Sequence, residues 1–156
     1  MLYKGRAQCL VVRDNKILLV KHCVNNLTYF CTPGGGIEEG ETPEQAAIRE
    51  LSEECCVVGE IVKKTSEQPD IYENGFKFYT FQVDIRDQVP KLGYDPEFLD
   101  NPVLIDVQWV SLNEISERDR AFLWASGLWS ISQFAEELSS WDDDISYPKK
   151  RVTIAK

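Results

Sequence analysis

Residues 33–57 read PGGGIEEGETPEQAAIRELSEECCV. Gly34, Gly35 and Gly36 let the backbone approach a ligand closely and expose its carbonyls. No Gly-Lys-Ser/Thr follows, so this is not a phosphate-cradling P-loop. A helix start comes next. Thr42 stands as N-cap, Pro43 at the first helical position and Gln45 at the third, the pattern of a capping box. Ala47, Leu51 and Cys55 recur every four residues, with Ile48 beside them, which predicts a buried face. At about 100° per residue, Glu50, Glu53 and Glu54 share an arc of about 100° off that face. Like charges three or four residues apart cost roughly 0.2–0.5 kcal/mol per pair, and acids near a helix C-terminus oppose its dipole. An oxygen-only carboxylate cluster suits a hard cation. An acidic helix face on its own is usually just solvated; the glycine loop ahead of it is what points to a bound ion.

Working outward, residues 6–13 and 16–22 read as strands around an Asp14-Asn15 turn, and 27–31 as a short strand. Val57 to Val62 reads as another strand. Ile71-Tyr72 and Phe76 to Ile85 read as a hairpin around Glu73-Asn74-Gly75. Residues 86–102 form a polar loop of seventeen residues, and loops of that length are often functional. Val103 to Val110 is a strand, and a helix is expected from Arg118 to Leu138. Along it Trp124, Leu128, Ile131, Ala135 and Leu138 form a stripe expected to face the core. Strands interleaved with helices and joined by hairpins predict an α/β fold with a mixed sheet.

Gly35, Glu41, Arg49-Glu50-Leu51 and Glu53-Glu54 together resemble the Nudix box. That pattern is Gly, five residues, Glu, seven residues, Arg-Glu-aliphatic, one residue, Glu-Glu, one residue, Gly and an aliphatic residue. Both long spacings match, and Val57 fills the last place. Cys56 stands where the family has Gly, which normally closes the helix in a left-handed conformation. The resemblance implies a Nudix α/β/α sandwich over residues 1–140, followed by a tail at 141–156. It implies a pyrophosphohydrolase using Mg²⁺, with Mn²⁺ as substitute. Such an enzyme cleaves a nucleoside diphosphate linked to another moiety, such as a nucleoside triphosphate or an ADP-ribose-like compound, by attack of activated water at phosphorus. Carried over, Glu50, Glu53, Glu54 and the Gly34 carbonyl are metal ligands, and Arg49 and Glu41 orient the acids. Glu54 is the expected general base, with Asp95, Glu97 and Asp100 of the long loop as the other candidates. Arg6 and Glu97 are expected substrate contacts. Tyr29, Phe76, Phe78 and the tryptophans are further residues able to touch phosphate or stack on a base.

Composition narrows the classes. The 156 residues are 43% hydrophobic and 28% charged, which is a globular balance, and no linker or repeat divides them. Lys and Arg number 17 against 26 Asp and Glu, a net charge of −9. Such a chain is a poor general binder of nucleic acid or anionic membrane. A small anionic substrate therefore calls for a cation. No apolar run is long enough to span a bilayer. The first residues lack a signal-peptide pattern and the five cysteines are an odd number, so the expected location is cytoplasmic, with each thiol a small buried hydrophobe. The assembly is expected to be a monomer or a homodimer. With His22 the sole histidine and no G-x-S-x-G, a Ser-His-Asp triad is disfavoured. The competing reading is a Nudix-fold module that binds or senses a nucleotide without cleaving it. Such modules usually lose box acids, whereas Glu41, Glu50, Glu53 and Glu54 are all present. Isopentenyl-diphosphate isomerase shares the fold, but the intact box favours the hydrolase.

Overall fold

Alternation along two strands builds two cores. The computed structural model describes residues 4–69, 75–96 and 103–140. Strand β1 (Gly5–Leu10) gives Ala7 and Cys9 to one core and Leu10 to the other; β3 (Lys16–Val24) gives Leu18 and Val20 to the first, Ile17 and Leu19 to the second. Successive strand side chains point to opposite faces, so each face needs its own cover. Helix α1 (Pro43–Cys55) covers the first with Ala46, Ala47, Leu51 and Cys55. Helices α2 (Glu117–Ala125) and α3 (Ser132–Ser140) cover the second, with Leu123 and Phe134 buried in it. The result is the expected α/β/α sandwich.

Two four-stranded sheets form the middle layer. One has the order β5 (Gly34–Gly36), β1, β7 (Lys77–Asp84), β6 (Glu60–Pro69). Its β1 and β7 run parallel and its other pairs antiparallel. In the other sheet β3 pairs antiparallel with β2 (Val12–Arg13), β4 (Leu27–Cys31) and β8 (Leu104–Val110). Positive φ at Asp14 and Asn15, and at Asn25 and Asn26, marks the two tight turns flanking β3, a conformation Asn and Asp tolerate best after Gly.

Four expectations need correction. The strand read at 6–13 breaks at Val11, because its two ends pair in different sheets. The strand read at 57–62 begins at Glu60 and runs to Pro69. It lies at a sheet edge, and its polar run from Lys63 to Glu67 hides it from a hydrophobic pattern. It pairs antiparallel with β7, ending at Pro69 opposite Lys77 on either side of the expected Glu73-Asn74-Gly75 turn; the Ile71-Tyr72 arm lies outside the described residues. The helix read at 118–138 is two helices, parted at Gly127 (φ +94°). A Cβ there would stand 2.4 Å from the Thr65 carbonyl oxygen, and the Thr65 hydroxyl donates to the Ser126 carbonyl at 2.9 Å. The break is therefore made by a contact with β6. Leu128 and Ile131 of the expected stripe are buried, and Phe134, outside the stripe, joins them. Cys9 and Cys55 are buried thiols as expected, but Cys56 is exposed. The tail at 141–156 lies outside the described residues. Among those described, no helix is long and apolar enough to cross a membrane.

Candidate active site

Helix α1 starts where its sequence dictates. Thr42 Oγ1 accepts from the Gln45 N–H at 3.2 Å, and Gln45 Oε1 accepts from the Thr42 N–H at 2.9 Å. This cap fixes Glu41 beside the second turn of the helix, where Arg49 meets it with two bonds, Nε to Oε1 at 2.9 Å and Nη2 to Oε2 at 3.0 Å. The same guanidinium donates through Nη1 to Glu50 at 2.7 Å and Glu53 at 3.2 Å, and through Nη2 to the Gly36 carbonyl at 2.8 Å. All five donors of its planar fork are engaged. One side chain thus ties the loop, the residue before the cap and two acids of the helix into one unit.

The acids share one side of the helix as expected, but two of them are packed rather than turned off the buried face. Glu54 is 1% exposed and Glu50 6%; only Glu53 keeps an appreciable face to solvent. Spacings of three, four and seven residues put Glu50 and Glu54 on the same side as Ala46 and Ala47, and those small side chains let the glycine strand close over them. The Gly34 N–H donates to Glu54 Oε2 at 2.9 Å. A Cβ on Gly35 would stand 2.3 Å from Glu50 Oε1, and one on Gly34 2.3 Å from the Ala7 carbonyl oxygen. Both positions therefore require glycine. Burial pushes the Glu50 carboxyl up to about 7, aided by the charges of Glu54 and Glu53 and opposed by Arg49. Burial also raises Glu53, whereas the Arg49 bond holds Glu41 below the usual carboxylate range.

Two features of the site were missed in the sequence. His22 sits with Nε2 3.7 Å from Glu54 Oε1 and Nδ1 3.4 Å from Cys31 Sγ. Its bond to Cys31, then that to Glu54, pushes its pKa up to about 9. The signal was the period of β3: Leu18, Val20 and His22 alternate onto the α1 face. The second is a strap at 91–94. Lys91, Gly93 and Tyr94 donate their N–H groups to the carbonyls of Cys55, Glu54 and Glu53 at 2.9, 2.9 and 3.0 Å. They cap carbonyls at the helix end that would otherwise lack partners. A Cβ on Gly93 would stand 1.7 Å from the Glu53 carbonyl oxygen, so the strap can lie this close only with glycine. Cys56 closes the helix in the left-handed conformation, φ 56° and ψ 37°.

The remaining candidates divide. The Arg6 Nη2 donates to the Gly34 carbonyl at 2.9 Å, so Arg6 meets the very carbonyl expected to bind metal. Asp95 follows the strap, near enough for its charge to help raise Glu53. Glu97 and Asp100 lie outside the described residues. Tyr29 packs edge-on to His22, and Phe76 and Phe78 pack on each other. Among the described residues, no three His, Cys, Asp or Glu side chains close a metal cage by themselves. The donor set of Glu50, Glu53, Glu54 and the Gly34 carbonyl is nevertheless all oxygen. Of the two buried carboxylates, Glu50 accepts from Arg49, while Glu54 meets the Gly34 N–H and His22. That chemistry fits a hard cation held from one side, with water and a phosphate ligand completing its shell.

Known proteins resemble this chain in sequence and in fold. The family model of the NUDIX domain matches residues 3–128. An ADP-ribose pyrophosphatase of Methanocaldococcus jannaschii is 42% identical over 53 residues, 33% of this chain and 31% of the relative. An 8-oxo-dGTP diphosphatase of Escherichia coli is 61% identical over 46 residues, 26% of this chain and 33% of the relative. The matches thus span about a third of each curated relative. The solved structure of a NUDIX hydrolase from Nitrosomonas europaea superposes with a TM-score of 0.60 at 22% identity, covering 87% of this chain and 88% of that one. It shares the fold.

Proposed function

The chain belongs to the NUDIX family, and we propose that it is a Mg²⁺-dependent pyrophosphohydrolase acting on a nucleoside diphosphate linked to another group. The observation that carries this reading is the five-bond Arg49 hub, which holds Glu41, Glu50 and Glu53 beside the buried Glu54–Gly34 pair. Glu50, Glu53, Glu54 and the Gly34 carbonyl would hold the ion, with Mn²⁺ able to replace Mg²⁺. The bound ion supplies charge neutralisation at the diphosphate and lowers the pKa of water. Glu54 accepts the proton of the attacking water, its orientation set by the Gly34 N–H and by His22. Arg49 and Glu41 keep the acids in place, so little reorganisation accompanies the reaction. Arg6 leaves the Gly34 carbonyl to donate to a phosphate oxygen. The names of the two curated relatives, one acting on ADP-ribose and one on 8-oxo-dGTP, support a small nucleotide anhydride as substrate. The test is a screen of nucleoside triphosphates, ADP-ribose, dinucleoside polyphosphates and sugar nucleotides, with products separated by chromatography. A nucleoside monophosphate should be released with Mg²⁺ and not in EDTA. Nucleotide binding without any release would favour the sensor reading, and release undiminished by EDTA would refute the metal mechanism.

A further inference from the structure

The strap meets α1 with backbone alone. Lys91, Gly93 and Tyr94 donate to the carbonyls of Cys55, Glu54 and Glu53 in turn, so the strap runs antiparallel to the end of the helix. Two of those three carbonyls belong to acids assigned to the cation. The root of the strap is clamped. The Gln88 side chain accepts from the Val58 N–H at 2.9 Å and donates to the carbonyls of Val58 at 2.7 Å and Ile85 at 2.8 Å. The Gln88 carbonyl accepts from Arg13 Nη1 at 3.0 Å, and the Arg13 guanidinium lies over the Trp109 ring at 4.8 Å. Beyond this root little apolar burial secures the chain, since Val89, Leu92 and Tyr94 are all exposed. A segment held by a few exposed hydrogen bonds opens locally at low cost.

The helix end needs what the strap supplies. The last four carbonyls of a helix have no partner within it, and helix ends fray. Arg49 and Glu50 lie a turn earlier in α1. Glu53 lies in the last turn, and its bond to Arg49, at 3.2 Å, is the longest of the five in the hub. The direction of its carboxylate therefore depends on where the backbone of that turn stands. Glu54 is fixed at its side chain by the Gly34 N–H and at its carbonyl by Gly93. Gly93 is the tightest contact of the strap. A Cβ there would stand 1.7 Å from the Glu53 carbonyl oxygen and 2.8 Å from its carbon, and backbone atoms cannot swing aside. Gly93 is not among the glycines of positive φ, so close approach alone demands glycine. Gly93→Ala therefore lifts the strap without altering an acid or a core side chain.

We propose that the strap at 91–94 is a positioning element for Glu53 and Glu54, and that its docking and cation binding at those acids strengthen each other. This coupling presupposes the metal reading of the α1 acids. An ion held by Glu50, Glu53 and Glu54 ties the last turn of the helix to the turn before it. The carbonyls of Cys55, Glu54 and Glu53 then stay where the strap meets them. A docked strap in turn presents Glu53 and Glu54 to the ion already ordered. The factor by which the ion favours docking must equal the factor by which docking tightens the ion.

Two measurements on the full chain test this coupling. In calorimetric titration, Gly93→Ala should bind Mg²⁺ about tenfold more weakly than the wild type, within the usual range of coupling between sites. Gly127→Ala, folded by circular dichroism, should bind the ion as the wild type does. That control separates lost positioning from lost stability, because its clash is with Thr65 and not with α1. The second measurement needs no variant. Trypsin cuts after Lys91 only when the strap is undocked, so the rate of that cut, read by peptide mass, follows the open population. Saturating Mg²⁺ should slow the cut, relative to EDTA, by at least the factor found for Gly93→Ala. It should leave the cut after the exposed Arg118 unchanged. Wild-type affinity in Gly93→Ala, or equal cleavage after Lys91 with and without an ion that binds, would overturn the coupling and leave the metal reading intact. No ion binding by the wild type would overturn the metal reading and the coupling with it.

Discussion

Helix α1 and the α2–α3 segment lie on opposite faces of the same strands, yet they are held differently. α1 runs unbroken through thirteen residues. Its start is set by its own capping box, and its end is set by Cys56 and the strap. The other segment is two nine-residue helices whose break is imposed from outside, by Thr65 against Gly127. α1 carries buried acids fixed by one arginine, whereas α2 offers a half-exposed Phe122 and an exposed Arg118. The rigid side is the one proposed to carry the chemistry. Loss of one group should therefore be felt most in turnover on the α1 face and in stability on the α2 face.

The largest effect is expected at the acids. Glu53→Gln and Glu54→Gln should each reduce Mg²⁺-dependent product release by at least about 10²-fold, since metal and proton-accepting roles are each worth several kcal/mol. Near-wild-type turnover would remove that residue from the mechanism. Next comes Arg49→Ala. Its side chain is 24% exposed, so the loss should fall at or below the lower end of the range for breaking a buried pair, about 2–3 kcal/mol in urea unfolding. Arg49→Lys should recover only part of it, lacking the planar fork. Recovery in full would mean that charge alone, not the five-bond geometry, holds the acids.

Gly127→Ala sharpens the other side of the comparison. A left-handed Cβ costs roughly 1–2 kcal/mol, and the overlap with Thr65 adds to it. Thermal unfolding should show a clear drop. An unchanged melting temperature would show that the break between α2 and α3 does not depend on Thr65. The smallest effect is expected at Cys56→Gly. It relieves the left-handed Cβ but loosens the unfolded chain, leaving a net gain of up to about 1 kcal/mol. A loss would mean that the Cys56 sulfur makes a contact worth more than the strain.

What could be read in advance follows the same division. The α1 start and the Arg49–Glu53 pair rest on residues close in sequence, so spacing exposes them; the Arg49–Glu41 contact and the left-handed Cys56 were implied by the resemblance to the Nudix box. The burial of Glu50 and Glu54 does not, because a wheel shows which residues share a side but not that Gly34 and Gly35 cover them. His22 was visible only as an extension of the Leu18–Val20 alternation. The strap at 91–94 carries no pattern except a glycine, Gly93, whose reason is a carbonyl on another element. β6 was largely missed because an edge strand needs no hydrophobic face, and Gly127 because its partner lies some sixty residues earlier.

The central claim is that the α1 acids bind a hard divalent cation. It is tested most directly by calorimetric titration of the metal-free protein with Mg²⁺ and Mn²⁺, beside the Glu50→Gln/Glu53→Gln double variant. Circular dichroism would verify that both chains are folded. The wild type should bind both ions, and the double variant should lose that binding while keeping its helices. Undiminished binding by the folded double variant, or no binding by the wild type, would contradict the account.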